Sequence, residues 1–203
     1  VNFGHDQELN QAGSLSYSLW FQSQGSSGLT RLLGKFSSRG NRQEFAALFL
    51  ANRLWVIFCD DGAGRPGHVL AAMTPCPVVK KGTWQHLAVT WNAEAGPEGL
   101  VVYVNGVKIS LWNVLAPDMK SLHAGTADFT LGTFDVMTMG KGRALKEMVL
   151  NSFKGSLAQL ILCKAPLTAL AAAELYALGR NGDLLTYVST DFEQDGLPDW
   201  WER

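Results

Sequence analysis

The sequence predicts an all-β chain folded as a two-sheet antiparallel β-sandwich, with one or two short helices. Three observations point there. Segment 14–22, SLSYSLWFQ, alternates: Leu15, Tyr17, Leu19 and Phe21 fall on one face, and Ser16, Ser18, Trp20 and Gln22 on the other, which is the period of a half-buried strand. Segment 82–106, GTWQHLAVTWNAEAGPEGLVVYVNG, reads as a strand, a turn and a second strand closed by Asn105-Gly106. Both residues of that dipeptide tolerate positive φ, so it marks a hairpin. The chain also carries 21 glycines among 203 residues, and turn formers recur between short apolar runs, as a loop-rich β fold requires.

Bulk composition bounds the rest. The chain is 47% hydrophobic and 17% charged, enough for one sandwich with a sizeable core and a short appendage. A formal net charge of −1 and the lack of a basic cluster argue against nucleic acid or an anionic membrane surface as partner. The longest apolar runs, such as Leu157–Cys163, are strand-sized, so no membrane insertion is expected. The chain opens at Val1 without Met and reads as a mature form or a piece of something longer. Three cysteines without a C-x-x-C spacing, Cys59, Cys76 and Cys163, fit neither a disulfide framework nor a zinc site. They read as small buried hydrophobes, with a Cys59–Cys76 bridge as the alternative.

Taken in order, Val1–Leu9 is a first strand broken at Gly4, and Ser14–Gln22 a second. Thr30–Phe36 follows, then Glu44–Leu50 and Arg53–Cys59 flanking a hairpin turn at Asn52, then His68–Met73, ended by Pro75 and Pro77. In the central segment Leu87, Val89 and Trp91 share one side, and Ala88 and Thr90 the other. Val107–Leu111 starts another strand, and a long loop begins at Trp112. Ala127–Gly132 is a short strand. RALKEMVLNS at 143–152 has helical spacing and reads as an inserted helical turn or a loop. Phe153–Cys163 is a strand, and Pro166–Leu178 a helix capped by Thr168 and stopped by Gly179. Leu184–Val188 closes the sandwich, giving one domain at 1–188 and an acidic tail at 189–203.

That tail, STDFEQDGLPDWWER, carries the sharpest chemical pattern. With Asp191 at loop position 1, Glu193, Asp195, Asp199 and Glu202 fall at positions 3, 5, 9 and 12, Gly196 at 6 and Leu197 at 7. This is the spacing of an EF-hand calcium loop apart from Glu at position 3. Hard Ca²⁺ wants six to eight oxygens: alternate side chains converge, position 7 offers its backbone carbonyl, and the last Glu closes the shell. Pro198 lacks the N–H that paired loops share, so a solitary loop is expected. The wording also resembles the calcium loops of thrombospondin type 3 and dockerin-like repeats of secreted proteins.

The sandwich carries a resemblance of its own. G-x-W-x-H-L-A-V-T-W, followed by V-Y-V-N-G, resembles the central signature of the laminin-G-like (concanavalin A-like) jelly-roll domains. VNFGHDQEL and SLSYSLWFQ resemble the family's opening strands, and FKGSLAQLILCKAPLTALAAAELYALG its closing strand and short helix. The ordered set spans roughly residues 1–180. The resemblance implies a jelly roll in which Trp84, Trp91 and His86 are structural. It also suggests further loop calcium ligands, with Asp6, Asp60, Asp61 and Asp128 as candidates. Where the family often has an acidic pair after the closing glycine, this chain has Ala158-Gln159.

Glycoside hydrolases on this fold place two carboxylates on one strand, about 5–5.5 Å apart in retaining enzymes. No such strand is present: Glu44 stands alone and Glu98 lies in a turn. A non-enzymatic reading follows. Seven tryptophans and long loops favour a recognition module of a larger secreted or cell-surface protein, binding carbohydrate or an extracellular glycoprotein. Trp112, Asn113 and Trp55 are the candidate ligand residues, and calcium the expected ion. The alternatives are a structural spacer or adhesion domain stiffened by calcium, and a degenerate glycoside hydrolase.

Overall fold

The computed structural model describes residues 1–5, 9–10, 12–26, 28–37, 40, 42–65, 67–115, 117–132, 135–139, 146–150 and 152–181. Two antiparallel sheets face each other. One runs β13-β1-β6-β7-β8, built from Gly155–Cys163, Leu15–Ser23, Trp84–Trp91, Leu100–Val104 and Val107–Ile109. The other runs β10-β2-β3-β4-β5-β9, built from Phe129–Leu131, Leu29–Ser37, Arg42–Leu50, Arg53–Cys59, Val69–Met73 and Trp112–Leu115. A separate hairpin of β11 (Asp135–Met139) and β12 (Lys146–Leu150) packs against β2. The all-β sandwich expected from the sequence is what the chain forms.

The alternation in β1 explains its place. Leu15, Tyr17, Leu19 and Phe21 point between the sheets, where they meet Phe45, Phe49, Val56, Phe58, Leu87, Val89 and Trp91. The central hairpin pairs Leu87 with Val104 and Trp91 with Leu100. Its turn is two 3₁₀ turns over Ala93–Gly99, capped where Asn92 Oδ1 accepts the Glu94 N–H at 3.1 Å. Trp91 Nε1 donates to Gly96 O at 2.7 Å, tying the turn to the core. Asn105 sits at φ 53° and Gly106 at φ 76°, the left-handed pair that the sequence demanded.

Several boundaries differ from expectation. Among its described residues, the start of the chain makes an isolated bridge, Asn2 to Thr130, instead of a strand. Trp112–Leu115 is an edge strand on β5, not the start of a loop. The helical reading around 143–152 is wrong for Lys146–Leu150, which pairs with Asp135–Met139 in full register. Apolar spacing over so short a run fits either period, and the cross-strand partner decides. Cys76 is exposed, while Cys59 and Cys163 are buried, and all three thiols are free.

Helix α1, Ala169–Asn181, lies on the outer face of the five-stranded sheet. Its Ala172 and Leu175 are buried together with Leu167, Ala88 and Tyr103. The Ser16 and Thr90 hydroxyls hold the chain leading into it: both accept the Leu167 N–H, at 3.0 and 2.9 Å, and Ser16 Oγ donates to Ala165 O at 2.6 Å. Thr168 Oγ1 caps the helix by accepting the Ala171 N–H at 3.1 Å. Gly179 does not stop the helix, as the sequence suggested; it lies within the last turn, for a reason the site makes plain.

Candidate functional site

The outer face of the five-stranded sheet is organised in cross-strand rows. Ser16 opposes Thr90, Ser18 opposes Ala88, Trp20 opposes His86 and Gln22 opposes Trp84. Ala158 and Ser156 of β13 extend the last two rows. The helix covers the first rows, but its C-terminal end leaves the Trp84 row open. What remains is a cleft of about 420 Å³ between α1 and the sheet.

Aromatic rings form its walls. Trp20 is only 8% exposed and stacks on Tyr176 of α1, with centroids 5.6 Å apart and planes at 20°. His86 tilts against both rings, at 5.4 and 6.0 Å. Trp84, at 43% exposed, presents a free ring beside them. Two glycines permit this packing. A Cβ on Gly106 would sit 3.1 Å from the Tyr176 ring, so the Asn-Gly turn doubles as a seat for that tyrosine. A Cβ on Gly179 would sit 2.1 Å from Trp20 Nε1 and 2.6 Å from Gln159 Oε1. Only glycine lets the helix descend onto Trp20, which is why it occurs inside the last turn despite its helix cost of about 1 kcal/mol.

Polar groups complete the cleft. Ser18 opposes Ile161 while Trp20 opposes Ala158, so Leu19 of β1 faces two residues of β13, Gln159 and Leu160, a β-bulge. Within it Gln159 adopts φ 50°, a left-handed conformation that costs a non-glycine residue about 1–2 kcal/mol. Such bulges re-aim a side chain, and here the amide is turned into the cleft. Asn105 lines the other side, its Oδ1 accepting the His86 N–H at 2.8 Å, and Arg180 stands exposed at the rim.

Beneath the cleft His86 is 1% exposed and its Nε2 lies 2.7 Å from Ser18 Oγ. Burial holds its imidazole well below the usual 6.5, at about 4, so it is neutral at physiological pH. Among the described residues, His86 Nδ1 and Trp20 Nε1 have no hydrogen-bond partner.

The residues singled out from the sequence fall elsewhere. Trp112 (58% exposed) and Trp55 (9%) lie in one cross-strand row through Met73, on the outer face of the six-stranded sheet. Asn113 opposes Ala72, a residue of the inner core, and lines a separate recess of about 210 Å³ with Lys108 and Glu98. The three therefore do not converge on one site. The acidic candidates are likewise dispersed. Asp60 contacts His68 Nδ1 at 2.8 Å, Asp61 binds Arg65 Nε at 2.5 Å, and Asp128 accepts from Asn2 at 2.9 Å. Asp61 is held below the usual carboxylate range by its hydrogen bonds from Arg65 and Gly64, which outweigh its partial burial. Asp6 and the whole calcium set, Asp191, Glu193, Asp195, Leu197, Asp199 and Glu202, lie outside the described residues. Among the described residues no cluster of three or more His, Cys, Asp or Glu side chains is suited to a metal ion.

Glu44, on β3, is buried against Lys35 Nζ at 3.0 Å, and its Oε1 accepts the Ala127 N–H at 3.3 Å. A bulge placing Lys35 opposite Phe45 and Phe36 opposite Gln43 leaves Glu44 as the extra residue. It serves as half of an internal ion pair with Lys35.

The expectation that Trp84 belongs to the core is corrected by its exposure. The signal was present: Trp84 has the strand parity of His86, Ala88 and Thr90, opposite to the core residues Leu87, Val89 and Trp91. Gln159, Tyr176 and Arg180 carried no comparable signal, because the bulge and the helix docking that bring them together are tertiary.

Comparison with known proteins bears on the fold. No curated protein sequence is significantly similar. A heptameric SAP-like pentraxin from Limulus polyphemus is similar in structure, with a TM-score of 0.52 and 14% identity over 86% of this chain and 80% of the pentraxin. A Bacteroides ovatus protein provisionally classed as carbohydrate-binding gives 0.55 and 13%, covering 80% of this chain and 40% of that one. The ligand-binding domain of botulinum neurotoxin serotype D, solved with N-acetylneuraminic acid, gives 0.54 and 12%, covering 93% and 40%. The family profile described as the concanavalin A-like lectin/glucanases superfamily matches residues 1–169. With most of its length matched by that profile and its sandwich shared with these structures, this chain belongs to the concanavalin A-like lectin/glucanase superfamily.

Proposed function

We propose that this chain is a non-catalytic recognition module that binds carbohydrate in the cleft beneath the C-terminal half of α1. The observation that carries the reading is the exposed Trp84 ring set beside the Gln159 and Asn105 amides. Saccharides are held by stacking their apolar faces on aromatic rings and by hydrogen bonds from amides and charged groups to their hydroxyls. A strained bulge that presents an amide at a cleft is the kind of local cost that persists at functional sites. That similar structures include proteins named for carbohydrate or ligand binding agrees with this reading.

A glycan array tests the reading, followed by titration of the best glycan against Trp84→Ala and Trp112→Ala. Binding lost in Trp84→Ala and retained in Trp112→Ala supports the cleft. The opposite result moves the site to the six-stranded sheet, where Trp112 was first singled out. No binding to any glycan leaves the spacer or adhesion reading.

Two further parts of the proposal rest on sequence alone. The loop at Asp191–Glu202 binds one Ca²⁺ with oxygen donors, and the chain works outside the cell as part of a larger protein. Calorimetric titration checks the first: heat and stabilisation by Ca²⁺ at or below millimolar concentration are expected, and their absence sinks it.

A further inference from the structure

This inference deepens the carbohydrate reading and rests on it. The cleft's polar lining offers mainly donors. Asn105 spends its Oδ1 on the His86 N–H, at 2.8 Å, which leaves Nδ2 as the group it can offer a ligand. Gln159 lines the cleft with an amide that can donate as well as accept. Arg180, exposed at the rim, carries a full positive charge and a planar fork of N–H groups. Among the described residues no Asp or Glu lines the cleft. The partial negative charge at the C-terminus of α1 is opposed by Arg180 itself, the basic residue of the last turn.

A neutral sugar presents hydroxyls that donate as readily as they accept, and a site built for one supplies acceptors, usually carboxylates. Among the described lining residues no side chain is negatively charged, and Arg180 is positively charged. A carboxylate is the complementary group: at neutral pH it only accepts, and its two oxygens match a guanidinium in a bidentate pair. We propose that the cleft selects an acidic saccharide, with its carboxylate on Arg180 and the apolar face of its ring on Trp84. Selection arises because a carboxylate pairs with the Arg180 guanidinium, whereas a neutral analogue offers that charge no counterpart.

The test uses an array of uronic-acid- and sialic-acid-terminated glycans, the same glycans as methyl esters, their neutral parents, and sulfated counterparts. Calorimetry with the best matched set then follows on wild type, Arg180→Gln and Trp84→Ala. The acid should bind about tenfold more tightly than its ester or neutral parent, the low end for a charge-assisted pair at an exposed rim. Arg180→Gln should erase that preference while residual binding of the ester persists, and Trp84→Ala should remove both. Equal binding of acid and ester, or a preference that survives in Arg180→Gln, overturns the acidic assignment and leaves carbohydrate recognition intact. A preference for sulfate esters over carboxylates overturns the carboxylate assignment. No binding to any glycan overturns carbohydrate recognition and this inference with it.

Discussion

The outer faces of the two sheets are built to different rules. On the six-stranded sheet, β3 reads RQEFAALFL and β4 RLWVIFC, apolar throughout Phe45–Leu50 and Leu54–Cys59, and both faces of these runs are largely buried. Leu48, Trp55, Ile57 and Cys59 form a second core there, on the far side from the sandwich interior. On the five-stranded sheet, β1 alternates apolar and polar residues, and its outer side is hydroxyls, a histidine and Trp20. The first face is like an interior sheet covered on both sides. The second is partly roofed by one helix held through Ser16 and Thr90, and the roof stops short of Trp84. The first face is mostly apolar and closed, with Arg31 buried in the row of Leu48 and Trp55 and with Trp112 exposed at its edge. A face docked by hydroxyls and one short helix keeps polar groups, a free ring and an opening.

Two tryptophans test this contrast directly. Trp55 and Trp84 are the same residue on opposite outer faces, 9% and 43% exposed. Trp55→Ala should cost about 3–5 kcal/mol in denaturant unfolding, the usual loss for a buried aromatic. Trp84→Ala should cost about 1 kcal/mol or less and act on binding instead. Equal losses at the two positions would mean that the cleft ring is part of the core.

The polar face should also reveal itself in acid. His86 is held neutral in the folded state at a pKa of about 4, against 6.5 when unfolded. Between those values the unfolded chain binds a proton that the folded chain refuses, so stability rises with pH across that window. The contribution is fully present above pH 6.5 and is lost as pH falls toward 4. The shift corresponds to about 3 kcal/mol. Ser18, Trp20 and Tyr176 surround the ring, and no carboxylate is among these partners to hold its proton. Unfolding free energies of wild type and His86→Gln, measured from pH 7 to pH 4, should converge as the pH drops. A difference that stays constant with pH would show that His86 titrates normally.

The contrast was partly legible in the sequence. The alternation of β1, the doubly apolar β3 and β4, the Asn105-Gly106 turn and the Thr168 cap are local signals, and each predicted its element. The cleft was not legible, because its parts come from distant segments and depend on packing. Trp84 was assigned to the core by the company of its motif, although its parity placed it outside. Gly179 looked like a helix stop because glycine usually ends helices, whereas here it is selected by Trp20 beneath it. Gln159 gave no sign, since a bulge depends on how β13 registers with β1. The calcium pattern at 191–202 stays a matter of spacing, as those residues are outside the described structure.

The smallest expected effect is the most specific to the cleft. Gln159 holds φ 50° in the bulge of β13, where glycine is at ease and other residues are strained. Gln159→Gly removes the strain and the amide together. If the bulge serves only to join strands, the variant should be more stable and otherwise unchanged. If the bulge exists to aim the amide, the variant should gain up to about 1 kcal/mol in unfolding free energy, less what glycine gives back in unfolded-chain entropy. It should then bind glycan several-fold more weakly. Gln159→Asn separates the effects: asparagine tolerates the left-handed region better than glutamine and keeps a shorter amide, so stability should recover in part while the hydrogen bond stays out of reach. A stabilised Gln159→Gly variant with undiminished glycan binding would show that the bulge belongs to the scaffold, and the cleft would then rest on Trp84 and Arg180 alone.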